Sequence, residues 1–336
     1  MIRLERMLLV GICLFGAVSV GFAQDYQRVK DLSGAWKFSI GDDMDWSSPD
    51  FYDSNWETIS VPSSWENQGF YGYDGYAWYR TNFRKPLDIE GKSLYLQLGN
   101  IDDVDEVFFN GKRIGRSGNF PPRYATAYNS HRIYAIPAEY LREDNCIAVR
   151  VYDDTGEGGI IQGDIALLIN RSGIPLDIDL QGTWKFKTGK FAHKDAANFR
   201  DWDDIIVPGF WENQGYKNYD GYACYAYELQ VDSDIVSDRM ILLLGKIDDI
   251  DQVFVNGVLI GQSGAFTPST VRERSESYNQ NRAYYIPDDL LKSDQNLLIT
   301  VRVFDLSLGG GIYTGSVGLI SQEHYINYWN SRRKRN

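Results

Sequence analysis

The chain has 336 residues, of which 43% are hydrophobic, 24% are charged and 14% are aromatic. This composition is that of a globular protein, and it excludes an intrinsically disordered chain, a collagen-like repeat and a coiled coil. The formal net charge of −12 repels nucleic acid and anionic lipid, which argues against both as partners. The 9 tryptophans, 23 tyrosines and 16 phenylalanines instead favour β-sheets and flat surfaces lined by aromatic rings.

The first 23 residues have the pattern of a secretory signal peptide. Arg3 and Arg6 precede an apolar run from Met7 to Phe22, and the segment closes on the small residue Ala23. This apolar run is shorter than the roughly 20 residues that a membrane-spanning helix needs, although a membrane anchor is the alternative interpretation. We predict cleavage after Ala23, which sends the protein to the periplasm or the cell exterior without a membrane association.

The rest of the chain contains one sequence module twice. Five segments return in the same order, with an offset of 146 to 152 residues between the copies. They are DLSGAWKF (31–38, 179–186 as DLQGTWKF), WENQG (65–69, 211–215), YDGYAWY (73–79, 219–225 as YDGYACY), LGNIDDVDEVFFNGKRIGRSG (98–118, 244–264 as LGKIDDIDQVFVNGVLIGQSG) and IAVRVYD (147–153, 299–305 as ITVRVFD). A repeat of this length is a whole domain, so we predict domains at 25–170 and 175–322 and a basic C-terminal tail at 323–336.

Within each copy the local signals are those of β-structure. Leu94, Leu96 and Leu98 alternate with polar or aromatic neighbours at the period of a strand. The pairs Asn110-Gly111 and Asn256-Gly257 lie between apolar stretches, and Asn-Gly is the strongest short signal of a β-hairpin. Long helical periodicity is absent from the sequence. The sequence therefore predicts an all-β protein of two tandem jelly-roll β-sandwiches.

A family resemblance rests on the same segments. The order of VPSSWENQG, YDGYAWYR, LGNIDDVDEVFFNGKRIG and IAVRVYDD resembles the jelly-roll sugar-binding domain of glycoside hydrolase family 2. The stretches LGNIDDVDEVFFNG, NSHRIYAIPAEYL and IAVRVYD are also similar to a related domain inserted in bacterial sialate O-acetylesterases. Both domains are galactose-binding-like, and the resemblance covers both copies. It implies a carbohydrate setting but does not imply catalysis, because both enzyme families carry their catalytic groups in separate domains.

The search for catalytic motifs agrees with a binding role. No G-x-S-x-G or H-E-x-x-H motif is present, and a (β/α)8 barrel takes about 250 residues. We expect a secreted, non-catalytic carbohydrate-binding protein of a glycan-degrading system, whose partners are glycans. The first alternative is an accessory subunit or detached sugar-binding part of a family 2 hydrolase or sialate O-acetylesterase, with that enzyme as a separate partner. The second alternative is a structural or adhesion module of the cell envelope.

The candidate sugar-binding residues are aromatic and polar side chains of the repeated loops and strand ends. An aromatic ring stacks on the apolar face of a sugar, while charged groups bind its hydroxyls. The candidates are Trp65, Glu66, Tyr73, Asp74, Tyr76, Trp78, Arg132 and Asp153 in the first copy, and Trp211, Glu212, Tyr219, Asp220, Tyr222, Arg282 and Asp305 in the second.

Structural alternatives stand beside these roles. The tryptophans of the WENQG segments fit a hydrophobic core as well as a sugar platform, and the YDGY segments fit simple turns. Arg132 and Arg282 also fit ion pairs at strand edges, and Glu66 and Glu212 fit structural roles, or less well the acids of a glycosidase. The second copy has cysteine where the first has Trp78, so we favour the first copy as the sugar-binding one.

The repeated acidic strings at 102–105 and 248–251 permit two interpretations. Their aspartates could bind a structural calcium ion, since hard cations prefer several oxygen ligands, or they could cap turns at the start of a strand. We favour turns and therefore expect no cofactor. Cys146 and Cys224 lie at positions that do not correspond between the copies, which predicts two buried thiols rather than a disulfide.

Overall fold

The computed structural model describes residues 26–333 except 88, 90–91, 172, 191–197, 232–238, 265–275 and 292–295. The predicted signal peptide and the last three residues of the tail lie outside the described residues. No helix within those ranges combines the length and the apolar character that crossing a bilayer requires.

Twenty β-strands and one α-helix form the regular structure of the described ranges, together with short 3-10 turns. The strands of the first copy are β1 (Tyr26–Asp31), β2 (Gly34–Ile40), β3 (Glu57–Val61), β4 (Gly75–Arg84), β5 (Leu94–Asp102), β6 (Val104–Phe109), β7 (Lys112–Ser117), β8 (His131–Ile136), β9 (Asp144–Asp153) and β10 (Gly159–Asn170). Those of the second copy are β11 (Ile178–Asp179), β12 (Gly182–Thr188), β13 (Asp203–Val207), β14 (Gly221–Gln230), β15 (Met240–Asp248), β16 (Ile250–Val255), β17 (Val258–Ser263), β18 (Asn281–Tyr285), β19 (Asn296–Asp305) and β20 (Gly311–Ser321), and the helix α1 spans Gln322–Arg333.

Each copy folds into two antiparallel sheets. In the first copy a four-stranded sheet has the order β1-β10-β5-β8, and a six-stranded sheet has the order β3-β2-β4-β9-β6-β7. The second copy repeats both orders as β11-β20-β15-β18 and β13-β12-β14-β19-β16-β17. The apolar residues of both sheets form one core in each copy. The prediction of two tandem jelly-roll β-sandwiches is confirmed.

The core follows the alternation seen in the sequence. Leu96 and Leu98 of β5 are completely buried, because every second side chain of the strand points toward the opposing sheet. Trp36 and Trp184 are core residues, and the indole N–H of Trp36 donates to the carbonyl oxygen of Leu32 at 2.8 Å. The burial of Leu96 and Leu98 within β5 confirms the strand predicted from their alternation.

The predicted hairpins and thiols are also confirmed. Asn110 and Gly111 have φ values of 50° and 79° in the turn between β6 and β7, which is the left-handed region that an Asn-Gly turn requires. The equivalent Asn256-Gly257 pair joins β16 and β17 in the same way. Cys146 and Cys224 are both buried, and they form no disulfide with each other.

A loop of the first copy covers the outer face of its six-stranded sheet. This cover loop, residues 41–56, packs Trp46 and Trp56 against Trp78, which is fully buried and stacks on Phe108. Trp78 therefore presents no ring to a sugar, which corrects its prediction as a ligand-binding residue. In the second copy Cys224 stands in place of this tryptophan. The equivalent sheet is covered there by Phe199 and Trp202, which pack on Cys224.

Arg80 holds the cover loop in place. Its Nε donates to Asp53 Oδ2 at 2.7 Å, and its Nη1 donates to the carbonyl oxygens of Ser48, at 2.9 Å, and of Trp46. The guanidinium is almost completely buried, so these bonds form in a low-dielectric environment. The loop therefore depends on one charged side chain that the second copy lacks, since Ala226 takes its place.

We expect Arg80→Ala to release the cover loop. Hydrogen bonds to a charged group contribute about 1.5–3 kcal/mol each, so the free energy of unfolding falls by about 2 kcal/mol or more. Limited proteolysis of the full chain is expected to show new cleavage within residues 41–56. The control is Arg84→Ala, because Arg84 is 87% exposed in its ion pair with Asp144. Equal cleavage of both variants would contradict a specific role for Arg80.

The helix α1 was not predicted from the sequence. It begins directly after β20, and none of its side chains is buried. His324 Nδ1 lies 2.7 Å from Asp177 Oδ1, which ties the first turn of the helix to the segment between the copies. The sequence carries no signal for this helix, because its apolar residues do not follow a helical period.

Candidate functional site

Three carboxylates meet at one end of each sandwich. In the first copy Asp102 ends β5, Asp103 follows it, and Asp153 ends β9, and one oxygen of each lies within 4.8 Å of the others. We call this group the first acidic triad. The strands β5 and β9 belong to different sheets, so the triad lies where the two sheets approach each other.

The second copy repeats the arrangement with Asp248, Asp249 and Asp305, the second acidic triad, whose oxygens also lie within 4.8 Å of one another. The prediction from the sequence took the three aspartates of each acidic string as one group, with Asp105 or Asp251 as the third member. The tertiary structure replaces that member with an aspartate about fifty residues further along the chain.

The third aspartate of each string has a different role. Asp105 is completely buried, and its Oδ1 accepts from Nε of Arg132 at 2.7 Å. In the second copy Asp251 and Arg282 form the same pair at the same distance. Arg132 further donates to the carbonyl oxygens of Ala127 and Asp103. These arginines are internal ion-pair partners rather than sugar-binding residues, which corrects their predicted role.

The members of the first acidic triad differ in how they are hydrogen-bonded. Asp103 accepts from the hydroxyls of Tyr124, at 2.6 Å, and Thr126, and from the backbone N–H of Asp154 at 3.1 Å. Asp153 is fully buried, yet no described residue donates a hydrogen bond to either of its carboxylate oxygens. A buried carboxylate without donors is costly, so this side chain needs an explanation.

The second acidic triad shows the same imbalance. Asp305 is 1% exposed, and only its Oδ1 accepts a hydrogen bond, from the backbone N–H of Ser307 at 3.2 Å. Within the described part of the chain its Oδ2 has no donor. Asp249 accepts from the backbone N–H of Leu306 at 3.0 Å. The unsatisfied oxygen therefore recurs at the equivalent position of both copies.

Burial and mutual repulsion shift the titration of these groups. Burial raises the pKa of Asp102 to about 7, and a hydrogen bond and the charge of Asp103 add to the effect. Burial also raises the pKa of Asp153 to about 7, with further contributions from Asp103 and Asp102. In the second copy the pKa of Asp248 rises to about 8 and that of Asp305 to about 6, again mainly through burial. The triads thus concentrate more negative charge than their surroundings stabilise.

The repeated glutamates anchor the loops beside the triads. Glu66 accepts from the backbone N–H of Gly158 through both carboxylate oxygens, at 3.2 and 3.1 Å. Glu212 does the same with Gly310 at 3.1 and 3.0 Å. Burial raises the pKa of Glu212 to about 7. Both glutamates therefore have a structural role in this fold, holding the turn between the last two strands of each copy.

The two WENQG tryptophans are part of the core. Trp65 and Trp211 are completely buried, and a Cβ on Gly158 would lie only 2.1 Å from Cζ2 of Trp65. The indole N–H of Trp65 donates to the carbonyl oxygen of Tyr73 at 3.0 Å. Neither ring reaches the surface, which corrects their prediction as sugar platforms.

The YDGY segments combine half-buried tyrosines with exposed aspartates. The hydroxyl of Tyr73 donates to the carbonyl oxygen of Tyr76 at 2.6 Å, and Tyr219 does the same with Tyr222, so Tyr73 and Tyr219 close turns. Asp74 and Asp220 are exposed, and Tyr76 and Tyr222 are half-buried. The exposed aspartates and half-buried tyrosines are the predicted residues that a ligand can reach.

Aromatic rings join Tyr76 to the first acidic triad. Tyr76 is stacked with Phe120, with ring centroids 5.9 Å apart, and contacts Tyr152 at 4.8 Å. Tyr152 in turn contacts Tyr124 at 5.7 Å, and the hydroxyl of Tyr124 donates to Asp103. We call these four half-buried rings the aromatic strip. In the second copy the equivalents of Phe120 and Tyr124 fall within 265–275, outside the described residues.

Sequence reasoning missed three of the four rings of the aromatic strip. Phe120 and Tyr124 lie in the connection between β7 and β8, which carries no repeated motif. Tyr152 entered the sequence analysis only as part of the repeated segment IAVRVYD. A usable signal was present in the run from Phe120 to Tyr124, where two aromatic residues flank two prolines and an arginine. Tyr71, 92% exposed in the neighbouring loop, was also overlooked.

Parts of curated glycosidases are similar in sequence to this chain. A β-glucuronidase of Formosa agariphila is 26% identical over 135 residues, which are 36% of this chain and 13% of that protein. A β-galactosidase of Bacteroides ovatus is 26% identical over 112 residues, which are 30% of this chain and 13% of that protein. These relatives confirm the resemblance to glycoside hydrolase family 2. The matched part spans only about an eighth of the length of either relative.

Solved structures that align with this chain include glycosidases from Bacteroides. A β-glucuronidase of Bacteroides uniformis aligns with a TM-score of 0.36 at 16% identity, over 83% of this chain and 28% of that one. A β-glycosidase of Bacteroides vulgatus aligns with a TM-score of 0.35 at 17% identity, over 82% of this chain and 29% of that one. No family model matches the chain.

Proposed function

We propose that this chain is a secreted, non-catalytic carbohydrate-binding protein, and that the aromatic strip of the first copy is its sugar-binding surface. The observation that carries this proposal is the continuity of four half-buried rings beside the exposed carboxylates of Asp74 and Asp154. Flat rings next to hydrogen-bonding groups are the combination that a sugar ring requires. The similarity to family 2 glycosidases supports a carbohydrate ligand.

The strip is rigid enough to bind without a large entropic cost. The guanidinium of Arg150 lies 4.8 Å from the ring centre of Tyr76 and 4.3 Å from that of Phe120. Its Nε donates to Asp42 at 2.6 Å, which fixes it from the other side. Side chains already held in one rotamer lose little freedom when a ligand binds. A sugar would stack its C–H face on these rings and donate its hydroxyls to the nearby carboxylates.

The charge of the surface favours a neutral sugar. The relatives include both a β-glucuronidase and a β-galactosidase, whose names differ in the charge of the sugar. The exposed carboxylate of Asp154 accepts from the hydroxyl of Tyr152 on the strip at 3.2 Å, and the chain carries a net charge of −12. A uronate brought within a Debye length of about 8 Å would be repelled. We therefore propose neutral glycans such as β-galactosides over glucuronides.

The anchoring of the glutamates supports a non-catalytic role. A glycosidase needs two carboxyl groups facing each other across the bond that is cleaved. Glu66 and Glu212, the strongest candidates in the sequence, instead belong to different sandwiches, and each is bound to a glycine N–H. Turnover of an aryl glycoside that is lost in Glu66→Gln or Glu212→Gln would contradict this part of the proposal.

A second candidate is an accessory part of a larger glycosidase system. It is favoured by the coverage of the curated relatives, since the match to this chain takes up 13% of their length. Under this candidate the chain binds a separate catalytic protein. Co-purification of the tagged chain with a family 2 hydrolase from its host would favour it over independent glycan binding.

A binding experiment with matched variants tests the proposal. The full chain without residues 1–23 is screened on a glycan array, and hits are measured by calorimetry. The double variant Tyr76→Ala/Tyr152→Ala is expected to bind about 5- to 150-fold more weakly, since each aromatic contact contributes about 0.5–1.5 kcal/mol. The control Tyr52→Ala removes a tyrosine that is 77% exposed on the cover loop. No binding by the wild type, or equal affinity of the double variant, would reject the strip as the binding surface.

A further inference from the structure

We propose that each acidic triad is a calcium-binding site, formed by Asp102, Asp103 and Asp153 in the first copy and by Asp248, Asp249 and Asp305 in the second. The proposal does not depend on glycan binding. It differs from the interpretation of the acidic strings as calcium ligands, because it excludes Asp105 and Asp251 and includes the last residues of β9 and β19.

The spacing of the oxygens fits the ion. Calcium binds carboxylate oxygens at about 2.3–2.6 Å and accepts six to eight ligands in a flexible geometry. Two oxygens on opposite sides of such an ion are then separated by about 4.8 Å. In each triad one oxygen of every aspartate lies within 4.8 Å of the others, so all three reach a common centre.

The unsatisfied oxygens supply an independent observation. Asp153 is completely buried, and both of its oxygens lack a donor among the described residues. One oxygen of its carboxylate lies within 4.8 Å of oxygens of Asp102 and Asp103, and the charges of these aspartates raise its pKa. A bound cation would satisfy these oxygens, because buried charges are otherwise paired with an opposite charge or coordinate a metal.

The buried arginine of each copy directs its hydrogen bonds away from the carboxylates of the triad. The guanidinium of Arg132 donates to the carboxylate of Asp105, and its other nitrogens donate to backbone carbonyl oxygens, including that of Asp103. Arg282 is bonded in the same way to Asp251 in the second copy. These arginines therefore leave the unsatisfied oxygens of Asp153 and Asp305 without a donor among the described residues.

The recurrence in two diverged copies strengthens the inference. The residues around the triads differ, since Tyr152 becomes Phe304 and Glu157 has no acidic equivalent in the loop at 306–310. The three aspartates and the buried, unsatisfied oxygen at the end of the strand are nevertheless present in both copies. An ion at this position would join β5 to β9, and β15 to β19, and so link the two sheets of each sandwich.

Calorimetric titration with calcium chloride, after removal of metal with a chelator, tests the proposal on the full chain without residues 1–23. We expect two calcium ions per wild-type chain, one for Asp153→Asn, one for Asp305→Asn and none for the double variant. Terbium gives a second readout, because the ring of Tyr124 beside Asp103 sensitises its luminescence. The control Asp144→Asn removes the same charge at the opposite end of β9 and is expected to keep two ions.

Calcium is also expected to raise the midpoint of thermal unfolding of the wild type, because an ion that binds only the folded state stabilises it. This shift is expected to be lost in the double variant. No calcium uptake by the wild type, two ions still bound by Asp153→Asn, or stronger binding of magnesium would overturn the proposal. If Asp153→Asn does not fold by circular dichroism, Asp102→Asn replaces it with the same expected stoichiometry. Because no glycan is present, the result is independent of the aromatic strip.

Discussion

Asp105→Asn is expected to lower the free energy of unfolding of the chain by about 3–5 kcal/mol, as is typical when one partner of a buried ion pair is removed. The side chains of Asp105 and Arg132 are both completely buried, and 2.7 Å separates Oδ1 from Nε. Asparagine preserves the shape of the site but leaves the guanidinium without a counter-charge. Urea denaturation followed by tryptophan fluorescence measures the loss.

Two further variants test whether burial is the cause. Asp251→Asn removes the equivalent partner of Arg282 and is expected to have a similar effect. Asp164→Asn also removes one negative charge, but its ion pair with Arg28 is exposed, with 63% and 44% of the side chains accessible. An exposed pair contributes about 0–1 kcal/mol. A loss for Asp164→Asn as large as that for Asp105→Asn would contradict the explanation.

Trp65→Ala is expected to destabilise the first sandwich by about 3–5 kcal/mol, the range for deleting a buried large aromatic side chain. The ring is completely buried, lies 5.9 Å from the ring centre of Phe38, and fills the space against Gly158. Alanine leaves a cavity at this place and also removes the donor to the carbonyl oxygen of Tyr73. The measurement is again equilibrium denaturation of the full chain.

A neighbouring aromatic residue provides the matched control for this prediction. Tyr71 lies in the same loop and is 92% exposed, so Tyr71→Ala is expected to change the stability by no more than about 0.5 kcal/mol. If Trp65 were a sugar platform, its replacement would weaken glycan binding and leave the stability intact. An unchanged denaturation midpoint for Trp65→Ala would therefore refute its place in the core.

Local signals were sufficient for most of the fold. The alternation of Leu94, Leu96 and Leu98 identified a strand, because residues two apart share one face of a sheet. The Asn-Gly pairs identified hairpins, because they tolerate the backbone angles that a tight turn imposes. The helix α1 was not predicted, since its apolar residues follow no helical period.

The composition of the acidic triad could not be predicted from local sequence patterns. Asp102 and Asp103 are adjacent to Asp105 in the chain, but alternation along β6 directs Asp105 inward to Arg132. Asp153 joins the first two only through the packing of two sheets. Proximity in sequence thus selected the wrong third member, and the carboxylate that completes the triad was assigned to a sugar instead.

Local patterns in the sequence identify a duplicated all-β module with a family 2 resemblance, because repeats, strand period and turn residues are encoded within a few positions of one another. The division of the aromatic and charged side chains into internal ones and ones that can meet a ligand follows from the packing of the sheets. Trp65 and Tyr76 are both aromatic residues of repeated loops, yet one fills the core and the other is half-exposed. Burial depends on contacts between strands far apart in the chain, and no local pattern records them.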